Sequence, residues 1–482
     1  MAVEGLTEHS LAATALVEVV IVDHRVEEGI RSQGKGGDMR EDKESPTSTS
    51  SPSSASDSQP FAAVLHQSSG RPTQRDQWVE PGVSLALRML GADADAPDDS
   101  GNLKLHGCIY QFHVSPFLHF DAPLPNQLYA LGGRNELQEP LATVEMFDTW
   151  HGRWVACPNM LVRRAGCSAA VLPNGNLFVI GGYDEKGIVD GLLRSCEIFD
   201  PRAQTWTAAS GCLQRARWGH GCAVLGGKVY IVGGCSLRDG APPEEDFMET
   251  LRSCEVYDPA TDSWEQCSPV NTPRAGGRVV TLGGKFLAVV GGCDDVFGRS
   301  EVLGTVELFD STTDRWTLLE RQLSVPRTTA AVAALGDREI LVFGGTPGTP
   351  SHTWSANSCE VYGIPEQSKK QEVEPSKGQP TRKLEAPPAC SAMEGRMGCQ
   401  AVAIDLPAAG KSYPLCTERC VVVVGGETVQ EDELGYTRHF DTVLVYDLGT
   451  NEWRPSEAIT PIPTPRTALA LCVGPGRIEG HR

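Results

Sequence analysis

The chain has 482 residues, more than the roughly 150 that one ordinary hydrophobic core holds, so several domains or a repeat architecture are expected. Its formal net charge of −20, with no basic cluster, argues against nucleic acid and anionic membranes as partners. The 16 cysteines lie mostly inside apolar runs and form no Cys-x-x-Cys pair, which argues against a secreted disulfide scaffold and a zinc site. We therefore predict reduced thiols, no cofactor, no metal, and a cytoplasmic or nuclear location.

The first 104 residues are predicted to form a largely disordered or weakly structured extension. Residues 11–22 are mostly apolar, but Glu18 interrupts this run. It is also too short to cross a membrane and follows acidic rather than basic residues, unlike a signal peptide. Residues 31–60 are rich in Ser, Pro and charge and have too few apolar side chains to offset the entropy of ordering. Residues 61–104 remain ambiguous.

From about residue 105 onward, short apolar runs recur between Gly, Pro and Asn, which is typical of β-strands. Six of these runs end in a Gly-Gly pair, mostly 49 to 58 residues apart, with a last interval of 81. The pairs are Gly132-Gly133, Gly181-Gly182, Gly233-Gly234, Gly291-Gly292, Gly344-Gly345 and Gly425-Gly426. A repeat of about 50 residues is therefore indicated.

An aromatic residue follows each Gly-Gly pair, and in five copies a tryptophan comes seven residues later. The aromatic and tryptophan residues are Phe147 and Trp154, Phe199 and Trp206, Tyr257 and Trp264, Phe309 and Trp316, and Tyr446 and Trp453. The remaining copy has Tyr362 followed by a polar insertion, residues 363–383, and then Leu384, which we expect at the tryptophan position. Each repeat thus has two more strands after the Gly-Gly strand.

A fourth strand precedes the Gly-Gly strands; it starts with an arginine and consists of small residues. These arginines are Arg164, Arg217, Arg274, Arg327, Arg396 and Arg466. Small side chains suit a crowded central axis, so this strand is predicted to be innermost. Four strands repeated at about 50 residues indicate a β-propeller.

The Gly-Gly pair, the aromatic residue, the tryptophan and the arginine-started strand together resemble the kelch repeat family. The resemblance covers residues 105–476 and implies an all-β fold: a six-bladed kelch-type β-propeller with four-stranded blades. The insertion in blade five, residues 363–383, and a second in blade six, residues 405–419, are expected on one face of the propeller. The loops after Gly-Gly and the arginines are expected on the other face.

Closure of the ring has two solutions. The first Gly-Gly strand has no arginine-started strand before it, whereas residues 466–473 form such a strand with no Gly-Gly strand after it. The simple solution places residues 466–473 as the inner strand of blade one, which removes an open sheet edge. The alternative places residues 107–114 there. Sequence alone leaves both open.

The resemblance implies two interpretations of the six arginines, because kelch propellers often recognise partners through arginines at the channel mouth. They bind a partner's carboxylate or phosphate, or they are structural and bond backbone carbonyls and acidic neighbours of adjacent blades. One arginine per blade suits a structural role, since structural roles repeat. Repeated glutamates beside the aromatic residues are predicted to be structural: Glu145, Glu197, Glu255, Glu307 and Glu360.

The loops after Gly-Gly are further candidates for partner binding, because variable loops on a rigid scaffold usually carry specificity. Blade three has Glu244, Glu245 and Asp246 in its long loop, and blade five has Trp354. An acidic rim with an exposed aromatic side chain would suit a basic or mixed partner segment. Solvated loops that only maintain solubility are the alternative.

The function expected from the resemblance is a non-enzymatic scaffold or adaptor that binds a protein, such as a ubiquitin-ligase component or its substrate. No BTB or F-box pattern is recognisable in residues 1–104. An enzyme resembling galactose oxidase, sialic acid epimerases or iron-dependent specifier proteins is the first alternative, although no histidine spacing marks a catalytic set. An actin-binding kelch protein is the second.

Overall fold

The computed structural model describes two compact units, Met1–Pro123 and Leu124–Arg482. The described residues are 102–105, 108–111, 126–149, 151–240, 247–296, 302–347, 358–365, 382–384, 395–407, 417–429, 437–455 and 458–475. In the first unit they form one antiparallel hairpin of β1 (Asn102–Leu105) and β2 (Cys108–Gln111). The disorder predicted for residues 31–60 concerns residues outside these ranges.

Within the second unit, the described strands form six four-stranded antiparallel sheets, which are the predicted blades. Blade one contains β3 (Asn126–Leu131), β4 (Val144–Asp148) and β5 (Arg153–Cys157). Blade two contains β6 (Ser168–Val171), β7 (Leu177–Ile180), β8 (Cys196–Asp200) and β9 (Thr205–Ala208). Blade three contains β10 (Gly221–Leu225), β11 (Lys228–Val232), β14 (Cys254–Asp258) and β15 (Ser263–Cys267), with a separate hairpin of β12 (Cys235–Leu237) and β13 (Met248–Thr250).

The remaining blades follow the same order. Blade four contains β16 (Arg278–Leu282), β17 (Phe286–Val290), β18 (Val306–Asp310) and β19 (Arg315–Leu318). Blade five contains β20 (Ala331–Ala334), β21 (Glu339–Phe343), β22 (Cys359–Gly363) and β23 (Arg382–Leu384). Blade six contains β24 (Gln400–Pro407), β25 (Thr417–Val424), β28 (Leu444–Asp447) and β29 (Glu452–Trp453), with a separate hairpin of β26 (Glu427–Val429) and β27 (Thr437–His439). The last described strand is β30 (Ala470–Pro475).

The inner strands form a closed cycle. Each contacts the inner strand of the next blade, in the order β6, β10, β16, β20, β24, β30 and back to β6. Each blade also packs both of its faces against neighbouring blades. The sequences of the Gly-Gly strands are therefore continuously apolar and do not alternate between apolar and polar residues. The side chains of β7, for example, are all buried. This confirms the six-bladed propeller.

The ring closes through the C-terminal strand, as the simpler sequence prediction held. β30 pairs with β3 from Asn126 opposite Pro475 to Leu131 opposite Ala470. The alternative inner strand, residues 107–114, is wrong, because its described part lies in β2 and pairs with β1. Blade one is therefore built from segments at the two ends of the propeller sequence.

A ring of six backbone hydrogen bonds joins the blades where the inner strands begin; we call it the channel-mouth ring. Each member is the second residue after a repeat arginine and donates its N–H to the carbonyl of the equivalent residue in the preceding blade, at 2.8–3.0 Å. The members are Gly166, Gly219, Gly276, Thr329, Gly398 and Ala468. All six have positive φ, including Thr329 at 54° and Ala468 at 51°. This conformation costs little for glycine but strains the other two residues.

The predicted aromatic pairs stabilise the outer half of the blades. In five blades the aromatic residue lies directly opposite the tryptophan across the outer strands, with ring centroids 4.9–5.4 Å apart. Blade five differs from the expectation for Leu384, because that residue pairs with Cys359 rather than with Tyr362. The register therefore places Leu384 three residues away from the tryptophan position.

The two predicted insertions leave from the face opposite the Gly-Gly pairs, since strands in a blade alternate in direction. In blade six the inner hairpin is longer than predicted: β24 and β25 continue pairing to Pro407 opposite Thr417, inside the segment assigned to the insertion. Residues 408–416 and 366–381 lie outside the described ranges.

We expect a chain truncated after Thr464 to lose cooperative folding, because it lacks β30 and leaves β3 as an open inner edge. The control is a chain ending at Pro475, which retains the whole strand. Circular dichroism melting checks the prediction. A Thr464 truncation that melts at the same temperature as the control would contradict closure by β30.

Candidate functional site: the Gly-Gly loop face

The six repeat arginines lie beneath the face from which the Gly-Gly loops project, and each is held inside its own blade. Blade two shows the pattern: Nη1 of Arg164 donates to the carbonyls of Gly181 at 3.0 Å and Ser195 at 2.8 Å. Nη2 donates to the Ser195 hydroxyl and to a Glu197 carboxylate oxygen, each at 2.9 Å. Arg217, Arg274, Arg327 and Arg466 make the equivalent bonds to Glu255, Glu307, Glu360 and Glu145.

All six arginines are only 0–1% exposed. Burial lowers the pKa of Arg274, and the ion pair with Glu307 opposes that effect. The charge thus remains, but it is neutralised inside the blade. An arginine in this position presents no accessible donor to a docked partner, so the geometry favours the structural interpretation. The acidic partner lies in the arginine's own blade and not, as predicted from the sequence, in an adjacent blade.

The glutamates have a second role, because their carboxylates also hold the segment that enters the blade. Glu197 accepts the backbone N–H groups of Leu161 and Val162 at 2.7 and 3.1 Å. Glu307 accepts those of Asn271 and Thr272 in the same way. Each glutamate therefore fixes the blade-to-blade connection to the arginine, which accounts for its repetition.

Blade six departs from this arrangement, since Leu444 occupies the glutamate position. Arg396 still donates to the Thr442 carbonyl at 2.8 Å and to its hydroxyl. Its guanidinium also lies 4.2 Å from the centre of the Phe440 ring, within range of a cation–π interaction.

Sequence reasoning missed the hydroxyl residue that completes this arginine site. It lies two residues before the glutamate position in each blade, and its carbonyl and hydroxyl both accept from the arginine. The six residues are Thr143, Ser195, Ser253, Thr305, Ser358 and Thr442. The signal was present as a repeated Ser/Thr-x-Glu, but small hydroxyl residues are too common for the pattern to stand out in one sequence.

The predicted loop residues Glu244, Glu245, Asp246 and Trp354 lie outside the described ranges. Their role in partner binding stays a prediction.

A charged cluster joins blades one and six on the Gly-Gly loop face. Arg134, directly after the first Gly-Gly pair, donates to Oε1 of Glu427 at 2.6 Å. His439 Nε2 lies 3.1 Å from Oε2 of the same carboxylate. Burial alone would raise the pKa of Glu427, but His439 and Arg134 together lower it below its ordinary value. Glu427 and His439 are buried, whereas 29% of the Arg134 side chain is exposed.

Aromatic and apolar side chains occupy blades one to three of this face. Tyr183 and Trp218 make an edge-to-face contact with ring centroids 6.1 Å apart. Leu137, in the loop after the first Gly-Gly pair, is 76% exposed, and Leu161, in the connection from blade one to blade two, is 59% exposed. Val189, in the one-turn helix α1 (Gly187–Asp190) of the second Gly-Gly loop, is 38% exposed.

The described residues provide no cluster of three or more His, Cys, Asp or Glu side chains placed to hold a metal ion. The thirteen cysteines between Cys157 and Cys472 whose side chains are described have free thiols. Most are buried; for example, burial raises the pKa of Cys196 to about 12. None of the described helices is long and apolar enough to cross a membrane.

Comparison with known proteins identifies the repeat. Residues 120–345 match the family model described as the KLHDC2/KLHL20/DRC7 Kelch-repeats domain. Kelch-like protein 26 of Danio rerio is 27% identical over 239 residues, which cover 49% of this chain and 36% of that protein. Kelch-like protein 34 of Homo sapiens is 32% identical over 233 residues, which cover 45% of this chain and 33% of that protein.

Kelch-like protein 35 of Mus musculus is 28% identical over 286 residues, which cover 56% of this chain and 44% of that protein. The chain thus spans from about a third to less than half of the length of each of these relatives. Among solved structures, YjhT aligns with a TM-score of 0.48 at 14% identity, covering 65% of this chain and 88% of that chain.

We expect the substitution Glu307→Gln to destabilise the propeller by about 3–5 kcal/mol, because it leaves the buried Arg274 charge without its carboxylate. Denaturant unfolding or thermal melting measures the change. Glu320→Gln, at an exposed site, is the control and should change stability by less than about 0.5 kcal/mol. Equal stability of the two variants would show that the ion pair is not required.

We expect Glu427→Gln to lower stability by about 1–3 kcal/mol at neutral pH, because the variant loses a charge-assisted hydrogen bond from Arg134. The folded-state pKa of Glu427 lies below its ordinary value of 4.5. The carboxylate therefore stabilises the fold above pH 4.5, and this contribution disappears as the pH falls through the lower folded-state pKa.

Melting temperatures of wild type and variant, measured from neutral pH to below pH 4.5, check this dependence. Their difference should shrink at the acidic end. Glu136→Gln, an exposed change in the neighbouring loop, should show no such trend. A difference that is constant with pH would contradict the assignment.

Proposed function

This chain belongs to the kelch-repeat β-propeller proteins, and from that premise we propose that it is a non-enzymatic protein-interaction module that binds a partner through the Gly-Gly loop face. The propeller supplies a rigid frame, since hydrogen bonds join its blades and buried ion pairs stabilise individual blades. The Gly-Gly loops differ from blade to blade, as expected for the part that carries specificity.

The distribution of exposed apolar side chains is the observation that carries this proposal. In the described part of the chain, four large hydrophobic side chains are exposed, and three of them, Leu137, Leu161 and Val189, belong to the Gly-Gly loop face. All three lie on blades one and two or on the connection between them. Exposed apolar side chains grouped on one face favour a protein contact there.

The charges around these side chains support one class of partner. Glu136 and Glu139 are exposed beside Leu137. Glu185 and Asp190 are exposed near Val189, and Lys186 lies directly before the helix. This surface favours a segment that inserts apolar side chains flanked by Lys or Arg. Membership of the family supports a ubiquitin-ligase component or its substrate as the partner, in the cytoplasm or nucleus.

We expect the double substitution Leu137→Asp and Val189→Asp to weaken partner binding about tenfold or more, because it removes apolar contact area and adds like charges to an acidic rim. The measurement is quantitative affinity purification from native lysate with the full-length chain, followed by titration of each enriched protein.

Leu318→Asp is the matched control, since Leu318 is 47% exposed but lies on the outer strand of blade four. All variants must first melt like the wild type. Partners lost with the double variant and retained with the control support binding at this face. Retention by the double variant, or equal loss with both, would refute it.

A further inference from the structure

The inner strands of all six blades and Arg419 line a central cavity of about 360 Å³. Its lining begins below the channel-mouth ring and extends towards the opposite face, where Arg419 pairs with Asp405. Although the whole chain carries a net charge of −20, no carboxylate is among the described residues that line this cavity.

One position of the inner strands supplies the polar groups. The fourth residue after each repeat arginine is polar in blades two, four and six and small in the blades between them. The residues are Ser168, Gly221, Arg278, Ala331, Gln400 and Ala470. The hydroxyl of Ser168 is buried, and among the described side chains it interacts with the Cys222 thiol.

Arg278 is the charged residue among these six. Its Nε donates to the Ala330 carbonyl at 3.0 Å and its Nη2 to the Cys399 carbonyl at 3.4 Å, so the side chain reaches blades five and six. Within the described ranges it forms no ion pair, unlike the arginine of its own blade, Arg274. A guanidinium has five N–H donors, and these two bonds leave the others for a ligand.

Arg278 is half-buried and lines the cavity. Burial lowers the pKa of Arg278 to about 10, partly opposed by the Cys399 and Cys222 thiols. Burial and the positive charges of Arg217 and Arg278 lower the pKa of His220, which also lines the cavity, to about 3. The cavity is therefore a region of positive potential, where His220 is neutral at physiological pH.

From this arrangement we propose that the central cavity binds a small oxoanion, with inorganic phosphate or sulfate held by Arg278 and by the side chains of Ser168 and Gln400. The guanidinium would form charge-assisted hydrogen bonds with two oxygens of the anion. The side-chain amide of Gln400 donates one hydrogen bond to the Leu469 carbonyl at 3.1 Å, which leaves its second amide hydrogen for the anion. An anion would compensate a cation that is otherwise costly to bury.

The first test is calorimetric titration of the full-length chain with sodium phosphate, sodium sulfate and sodium acetate against sodium chloride at equal ionic strength. The proposal expects phosphate or sulfate to bind and to raise the melting temperature, with chloride and acetate much weaker. Arg278→Met should raise the dissociation constant at least about tenfold, because it removes the charged donor.

Arg315→Gln removes an exposed arginine from the outer strand of blade four and should bind like the wild type. Comparing the two variants distinguishes binding in the cavity from the general stabilisation that phosphate and sulfate give because they are excluded from protein surfaces. Stabilisation that is the same in Arg278→Met and wild type, or no phosphate or sulfate binding to the wild type, would overturn the proposal.

If Arg278→Met does not fold, Gln400→Leu provides the same comparison with the arginine retained. A dissociation constant raised several-fold supports the site, and an unchanged constant refutes the assigned ligands. In chloride, Arg278→Met should melt at or above the wild-type temperature, because it removes an uncompensated buried charge.

Discussion

The channel-mouth ring is the constraint on which the propeller depends, because every blade both donates to and accepts from its neighbours there. Six residues at the same repeat position hold the left-handed backbone conformation, including Thr329 and Ala468, for which it is strained. The ring sets the distance between inner strands, so side chains one or two positions further along can only be small or must run along the wall. This explains why Arg278 and Gln400 extend to neighbouring blades instead of across open space.

The repeat arginines connect that ring to the blades. The carbonyl of Arg217 accepts from Gly182 of the preceding blade, while its guanidinium binds Gly233 and Glu255 of its own. One residue therefore fixes the order of two blades and the entry of the connecting segment. This network holds the arginines in the interior, whereas Leu137, Leu161 and part of the Arg134 side chain are exposed on the loops above.

Much of the fold could be predicted from repeats, because a strand position that recurs six times reports a shared environment. The blades, the tryptophan pairs and closure by the C-terminal strand follow from that pattern. The arginine environment could not be assigned, since binding and structural arginines look alike until burial is known. Leu384 was misplaced because the register depends on residues separated by an insertion. The role of Arg278 could not be predicted, because three other blades have a small residue at the equivalent position. Its carbonyl acceptors also belong to distant segments of the chain.

Closure by β30 also dictates an order of events during synthesis. The hydroxyl of Tyr129 donates to the carbonyl of Pro475, 346 residues later in the chain. The first blade therefore cannot acquire its inner strand until the other five blades have been synthesised. Contacts of such large sequence separation form slowly, and an unpaired apolar edge attracts other nascent chains in the meantime. A ribosome that pauses after the fifth blade would thus expose an almost complete but open ring, and the propeller is expected to need chaperone protection until the final strand leaves the exit tunnel.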